Sequence, residues 1–221
     1  MTRVATLWCG LIIAICCTLV AQSDPSFWVP AGDAPIVDGR LDDGEWDDAL
    51  ALSLGEDVVL FAKHVDGFLY LGVRGQTRSQ IVGNVHIARG DEVRILHASH
   101  ALGSAVYVRD GEAWRLSRPF VWKCRALGFA DSAVEQRSAF LEEQGWLASV
   151  VRLGLSENME YQIAIEGEPM RILFRFDVHE MTTTVFTWPL AIEIGLEPGP
   201  LPPTAGFLPK LWSTVTFGPE T

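Results

Sequence analysis

Cysteine is scarce in this chain and poorly placed for bridging. Of four cysteines, Cys9, Cys16 and Cys17 lie near the start, and Cys124 stands alone in the remainder. Without the first segment no internal disulfide can form, so the fold must be held by its core. Cys124 itself reads as a small, partly buried residue. Basic residues are also few, 17 Lys and Arg against 28 Asp and Glu, for a net charge of -11. That balance argues against nucleic acid, whose phosphates need a basic surface, and against an anionic membrane surface. Catalytic signatures are lacking too: the chain has no G-x-S-x-G elbow, P-loop, HExxH or CxxC. Carboxylates are abundant, so a glycosidase pair is left open by count, but none sits in an evident catalytic context. The expectation is a protein that binds rather than transforms.

What is present begins with a targeting pattern. Residues 1–21, MTRVATLWCGLIIAICCTLVA, carry Arg3 as their single charge, followed by an apolar run to Ala21 and then polar Gln22-Ser23-Asp24-Pro25. This is the layout of a signal peptide cleaved after Ala21, to within a few residues. An uncleaved anchor is the runner-up, because the run approaches the ~18 residues that span a bilayer. A lipoprotein is third, since Ile15 precedes Cys16 where a lipobox wants a small residue. The expected location is secreted or periplasmic, with no membrane insertion after cleavage. The exported chain would keep 16 basic and 28 acidic residues, net -12.

Hydrophobic residues make up 48% and charged residues 20%, ordinary for a globular chain. At this length roughly 70% of the unfolded surface can be buried. Strand patterns dominate. Residues 57–64 (DVVLFAKH) and 68–74 (FLYLGVR) flank Asp66-Gly67, a two-residue hairpin signal. Residues 82–88 and 92–98 flank Arg89-Gly90-Asp91, and 105–109 and 113–116 flank Asp110-Gly111. Further strands are expected at 147–153, 161–165, 171–178, 183–187 and 212–217. Short strands at this spacing mark an all-β sandwich or barrel. One helix is expected over 131–144, with Gly145 as its C-terminal cap. The proline-rich 198–203 loop is expected to precede the last strand.

Residues 36–49 are the most informative. Asp38-Gly39 reads as a tight turn, and Asp42 with Glu45 forms a capping box for a short helix. Leu41 and Trp46 then take the two positions of a hydrophobic staple. Asp38, Asp42, Asp43, Glu45, Asp47 and Asp48 are six acids in eleven residues, which also raises calcium as an alternative, although the spacing is not that of an EF-hand.

The segment 36–46, IVDGRLDDGEW, resembles the opening signature of family 9 carbohydrate-binding modules and their DOMON-like relatives. Residues 69–73, LYLGV, are similar to a strand of that family, and Pro209-Lys210-Leu211-Trp212 to its closing segment; residues 159–165 match loosely. The resemblance implies a jelly-roll-type antiparallel β-sandwich with one or two short helices, occupying 36–221 as one domain after a lead-in at 22–35. It implies carbohydrate binding by tryptophans, with structural calcium. Trp46, at the motif position, is expected in the core.

Sugars are recognised by flat aromatic faces with polar side chains beside them. Trp114, Trp122 and Trp188 are the candidate exposed contacts, with Arg118 and Lys123 as donors. Two alternatives stand beside this reading. One is a structural or protein-binding sandwich of the cell envelope. The other is a haem domain, known among relatives of this sandwich, with Met159, Met170, Met181 and His179 as candidate ligands. His97 and His100 form the one close histidine pair, without a third ligand at metal spacing.

Overall fold

The computed structural model describes residues 26–55, 57–121, 126–131, 133–151, 157–167, 169–189 and 201–220. The expected signal segment, Trp122, Lys123, Cys124 and the end of the strand expected at 147–153 lie outside the described residues. No helix among the described residues is long and apolar enough to cross a membrane.

The protein is an all-β sandwich. Its strands are β1 (Ser26–Val29), β2 (Leu50–Gly55), β3 (Val58–Val65), β4 (Phe68–Arg74), β5 (Gln80–Arg89), β6 (Glu92–Ala98) and β7 (Leu102–Asp110). They continue with β8 (Ala113–Arg118), β9 (Trp146–Val150), β10 (Asn158–Ala164), β11 (Arg171–His179), β12 (Thr183–Trp188), β13 (Thr204–Ala205) and β14 (Ser213–Phe217). One α-helix, α1 (Val134–Gln144), and a 3-10 turn at Pro209–Leu211 complete the described elements. The larger sheet runs β1-β14-β11-β5-β6-β7-β8-β13, with β12 beside β11; the smaller runs β2-β3-β4-β10-β9. Among the described residues the strand-to-strand ladders are antiparallel except β1 with β14, and single parallel bridges join Ala31 to His64 and Phe129 to Val150.

The Asp-Gly turns set the hairpins. Asp66 (φ 51°) and Gly67 (φ 75°) both take the left-handed conformation that a two-residue turn between right-twisting strands requires. Pairing then fixes Val65 opposite Phe68 and His64 opposite Leu69.

Between the sheets lies a core that includes Leu60, Leu69, Leu71, Val85, Tyr161, Ile172, Phe174 and Phe176, each essentially inaccessible. A second cluster covers the opposite face of the larger sheet. There Val93, Ile95, Tyr107, Trp114 and Leu173 pack under Phe207 and Trp212. A strap at 201–212 supplies those two rings and is tied down by polar contacts. Tyr107 Oη donates to Pro202 O at 2.9 Å, and Leu116 N donates to Pro203 O at 2.9 Å. The centre of the larger sheet is therefore covered on both faces, and Leu173 on β11 and Ala88 on β5 pack into the second cluster while Phe174 and Val85 face the first.

Helix α1 starts three residues later than the pattern suggested, after Ala133, which has no side-chain cap; Gly145 ends it in the left-handed conformation. Its inner face carries Phe140, packed edge-on against Trp146 at 5.3 Å, and Arg137. The Arg137 guanidinium reaches Leu127 O, Ala148 O and Ser149 Oγ, so the helix is pinned to β9 by hydrogen bonds as well as by a ring.

The short helix expected after Asp42 is corrected to a run of turns. Glu45 N donates to Asp42 O at 3.2 Å and Ala49 N to Trp46 O at 3.2 Å, which are three-residue closures rather than α-helical ones. The reason lies in the Glu45 carboxylate. It leaves the capping position and accepts from Ile36 N instead, so no capping box holds a first helical turn. Leu41 and Trp46 do meet, both lying over Gly72, where an added Cβ would come within 2.8 Å of one and 3.1 Å of the other.

Candidate functional site

The acidic segment 36–48 is held by one buried carboxylate. Glu160, on β10, is completely inaccessible. Its Oε2 accepts from Asp38 N at 2.9 Å and Gly39 N at 2.7 Å, and its Oε1 accepts from Trp46 Nε1 at 3.2 Å. Burial pushes the Glu160 pKa up to about 8, against the downward pull of the Gly39 and Asp38 N–H groups. Lys63 is equally enclosed: its Nζ donates to Asp48 Oδ1 at 2.9 Å and to Glu45 O, and lies 5.2 Å from the Trp46 ring centre. Burial tends to raise the Asp48 carboxyl, but Lys63 and Asp33 N–H outweigh it and hold it below its usual value. Asp38, Glu45 and Asp48 are thus absorbed in shaping the loop. Among the described residues no three His, Cys, Asp or Glu side chains form a metal-holding group.

Gly39 shows how closely this loop is set. It has φ +90°, and an added Cβ would lie 2.5 Å from the backbone of Val150. Gly39→Ala is expected to cost about 3 kcal/mol, combining left-handed strain with that collision. Urea melts of both proteins check it; a loss below roughly 1 kcal/mol would mean the loop is not seated as described.

The tryptophans singled out from the sequence fall in different places. Trp114 is 2% exposed, so the expectation that it lies on an open face is corrected. The strap covers it, and its Nε1 donates to Phe207 O at 2.9 Å. Trp188 is half-buried, packed against Phe27 at 4.9 Å and Phe174 at 5.8 Å between ring centres. Trp122 and Lys123 lie outside the described residues, and Arg118 is exposed at the end of β8. Trp46, 5% exposed, is in the core as expected.

The exposed indole is one the sequence reading passed over. Among the described tryptophans Trp28 is 53% accessible, while Trp146 and Trp212 are fully buried. In β1 the alternation SFWV sends Phe27 and Val29 inward and Ser26 and Trp28 outward. The chain then leaves the larger sheet at Pro30 and joins the end of β3. His64 N donates to Pro30 O at 3.0 Å, and Gly32 N donates to His64 O at 3.1 Å. The C-terminal segment closes the other side, with Gly218 N donating to Val29 O at 2.8 Å and Gly218 O 2.9 Å from His64 Nε2.

These crossings enclose a cleft of about 490 Å³ at one end of the sandwich. Trp28 forms part of its wall, together with Asp33, Asp48, His64, Asp66 and Glu220. Glu220 lies 3.6 Å from His64 Nδ1. An aromatic face beside several hydrogen-bond acceptors is the composition that a sugar needs, its C–H patch on the ring and its hydroxyls on the carboxylates.

A larger groove, about 690 Å³, lies between α1, β9 and residues 35–40. Ile36 and Val134 stand exposed at its margin, and Leu141, Leu147 and Val150 lie within it. No aromatic ring lines it among the described residues, so it lacks the stacking surface that the smaller cleft has.

The candidate haem ligands are not gathered. Met159 and Met170 are buried in the intersheet core, while Met181 is fully exposed in the turn between β11 and β12. His179 is half-buried, with its Nδ1 2.8 Å from Thr183 Oγ1 across the same hairpin. Of the histidine pair, His97 Nδ1 lies 2.9 Å from Asn84 Oδ1, and His100 packs on Phe129 at 4.9 Å. No family model matches the chain, and neither does any curated protein or solved structure.

Proposed function

We propose that this is an exported, non-catalytic carbohydrate-binding module whose ligand rests on Trp28. The observation that carries the reading is the cleft itself, where the exposed indole shares a wall with acceptor side chains. The resemblance of 36–46 to family 9 carbohydrate-binding modules supports it, as does the targeting pattern of residues 1–21. Leaving an indole half in water is unfavourable for folding, and a sugar face would cover it.

Calorimetric titration with a panel of oligosaccharides tests the reading. Trp28→Ala is expected to weaken binding by ten- to a hundredfold, as losing one stacking aromatic is worth about 1–3 kcal/mol. The variant should fold normally, because the ring is on the surface. Equal affinity in the two proteins, or no binding of any sugar by either, would refute the assignment.

A further inference from the structure

The cleft is uneven in charge, and the unevenness points to the kind of sugar it takes. Among the described residues no arginine or lysine lines it, whereas Asp33, Asp48, Asp66 and Glu220 do. The buried Lys63 ammonium is engaged by Asp48 and by Glu45 O. Asp48 is likewise occupied, since its second oxygen accepts from Asp33 N at 2.6 Å. The Asp33 and Asp66 carboxylates, by contrast, carry no hydrogen bond or ion pair among the described residues. Both carboxylates share the cleft with an indole whose π face also favours cations. A neutral sugar would leave this charge unmet, and a uronic or phosphorylated sugar would be repelled by it.

We infer that the cleft selects a sugar bearing a protonated amine, a non-acetylated amino sugar, with its ring on Trp28 and its ammonium facing Asp33 and Asp66. This rests on the carbohydrate reading of the same cleft and narrows it. The chain's net charge of -11 draws such a polycation toward the protein from a distance. The cavity of about 490 Å³ is open at the end of the sandwich, so a few sugar units fit there and the rest of a chain can extend into solvent.

The experiment compares three β-1,4 oligomers of matched length: glucosamine, N-acetylglucosamine and glucose. Titrations are run in a buffer acidic enough to protonate the amines. The glucosamine oligomer is expected to bind about tenfold more tightly than the other two, two exposed charge contacts each contributing up to ~1 kcal/mol. The preference should shrink as salt is raised, because exposed pairs are screened. Asp33→Asn with Asp66→Asn should remove the preference and leave weak sugar binding, and Asn tolerates the positive φ at position 66. Trp28→Ala should weaken all binding. Equal affinity for the three oligomers, or a preference for the acetylated or neutral one, overturns the amine assignment and leaves the carbohydrate reading standing. Binding of the glucosamine oligomer that the double variant does not change also overturns it, because the charge contact then lies elsewhere. If none of the three binds, the carbohydrate reading fails and takes this inference with it.

Discussion

Glu160→Ala is expected to lower the unfolding free energy by about 4 kcal/mol and to release residues 36–46 from the sandwich. Three N–H groups, from Asp38, Gly39 and Trp46, converge on this one side chain inside the protein. Removing the acceptor strands all three, and each buried donor left unpaired costs roughly 1–3 kcal/mol. The Trp46 ring loses its polar anchor as well, although its packing over Gly72 remains. Denaturant melts measure the loss, and amide exchange at Asp38 and Gly39 should rise with it. A loss below about 1 kcal/mol would mean that water or another acceptor replaces the carboxylate.

The same residue makes a prediction about pH. Burial raises its pKa to about 8 in the folded chain, from an ordinary 4.5. Between those values the folded chain keeps a proton that the unfolded chain has released. The stability tied to this proton is complete below about 4.5 and is lost as the pH rises through about 8. Glu160→Gln keeps the shape and removes the titration, so its stability should be flatter on the alkaline side.

His86 produces the opposite dependence and the second large effect. It lies wholly inside the cluster under the strap, 6.2 Å from the Phe207 ring and 6.0 Å from Trp212 between centres. Its ring nitrogens face the backbone of Asn84 and Leu173, which pull its pKa upward, without meeting close hydrogen-bond geometry. Burial, with Arg175 nearby, lowers its pKa from 6.5 to about 3. As the pH falls through that interval the unfolded chain takes up a proton that the folded chain refuses. Stability tied to the neutral imidazole is therefore full above about 6.5 and is lost toward 3. The loss at the acid end is on the order of 5 kcal/mol. His86→Leu, close in volume, removes the titrating ring and should stay within about 1.5 kcal/mol of the parent at neutral pH. It should also flatten the acid limb, leaving the shallower part due to His97, which burial lowers to about 4. Chemical melts from acid to alkaline pH check both residues. Together they place the maximum of stability between about 4.5 and 6.5. An acid limb as steep in His86→Leu as in the parent would contradict the burial of a neutral His86.

Much of the fold was legible because hairpins announce themselves locally. The strands at 68–74 and 92–98 have the bounds that the Asp-Gly and Gly-Asp turns imply, and Gly145 ends the helix as its position requires. The strand β2, LALSLG, escaped because it contains no β-branched residue and pairs along one side at the border of its sheet. The site was far less legible. Trp28 was hidden in a stretch read as lead-in, although the alternation around it in SFWV carried the signal. Trp114 was misplaced because its cover, Phe207, comes from a strap more than ninety residues away in the chain. Glu160 falls in the segment 159–165 that matches the family pattern loosely, but nothing in that match shows its role. A single acid in a strand reads as solvent-facing until the donors aimed at it are brought together from residues 38, 39 and 46.

The central claim, that ligand is held at Trp28, is tested most directly by following indole N–H resonances while the tightest-binding oligosaccharide of the calorimetric panel is added. The account predicts that the Trp28 indole shifts progressively and saturably while those of Trp46, Trp114, Trp146 and Trp212 stay in place. A spectrum in which the Trp28 signal does not move, or in which another indole moves instead, would contradict it.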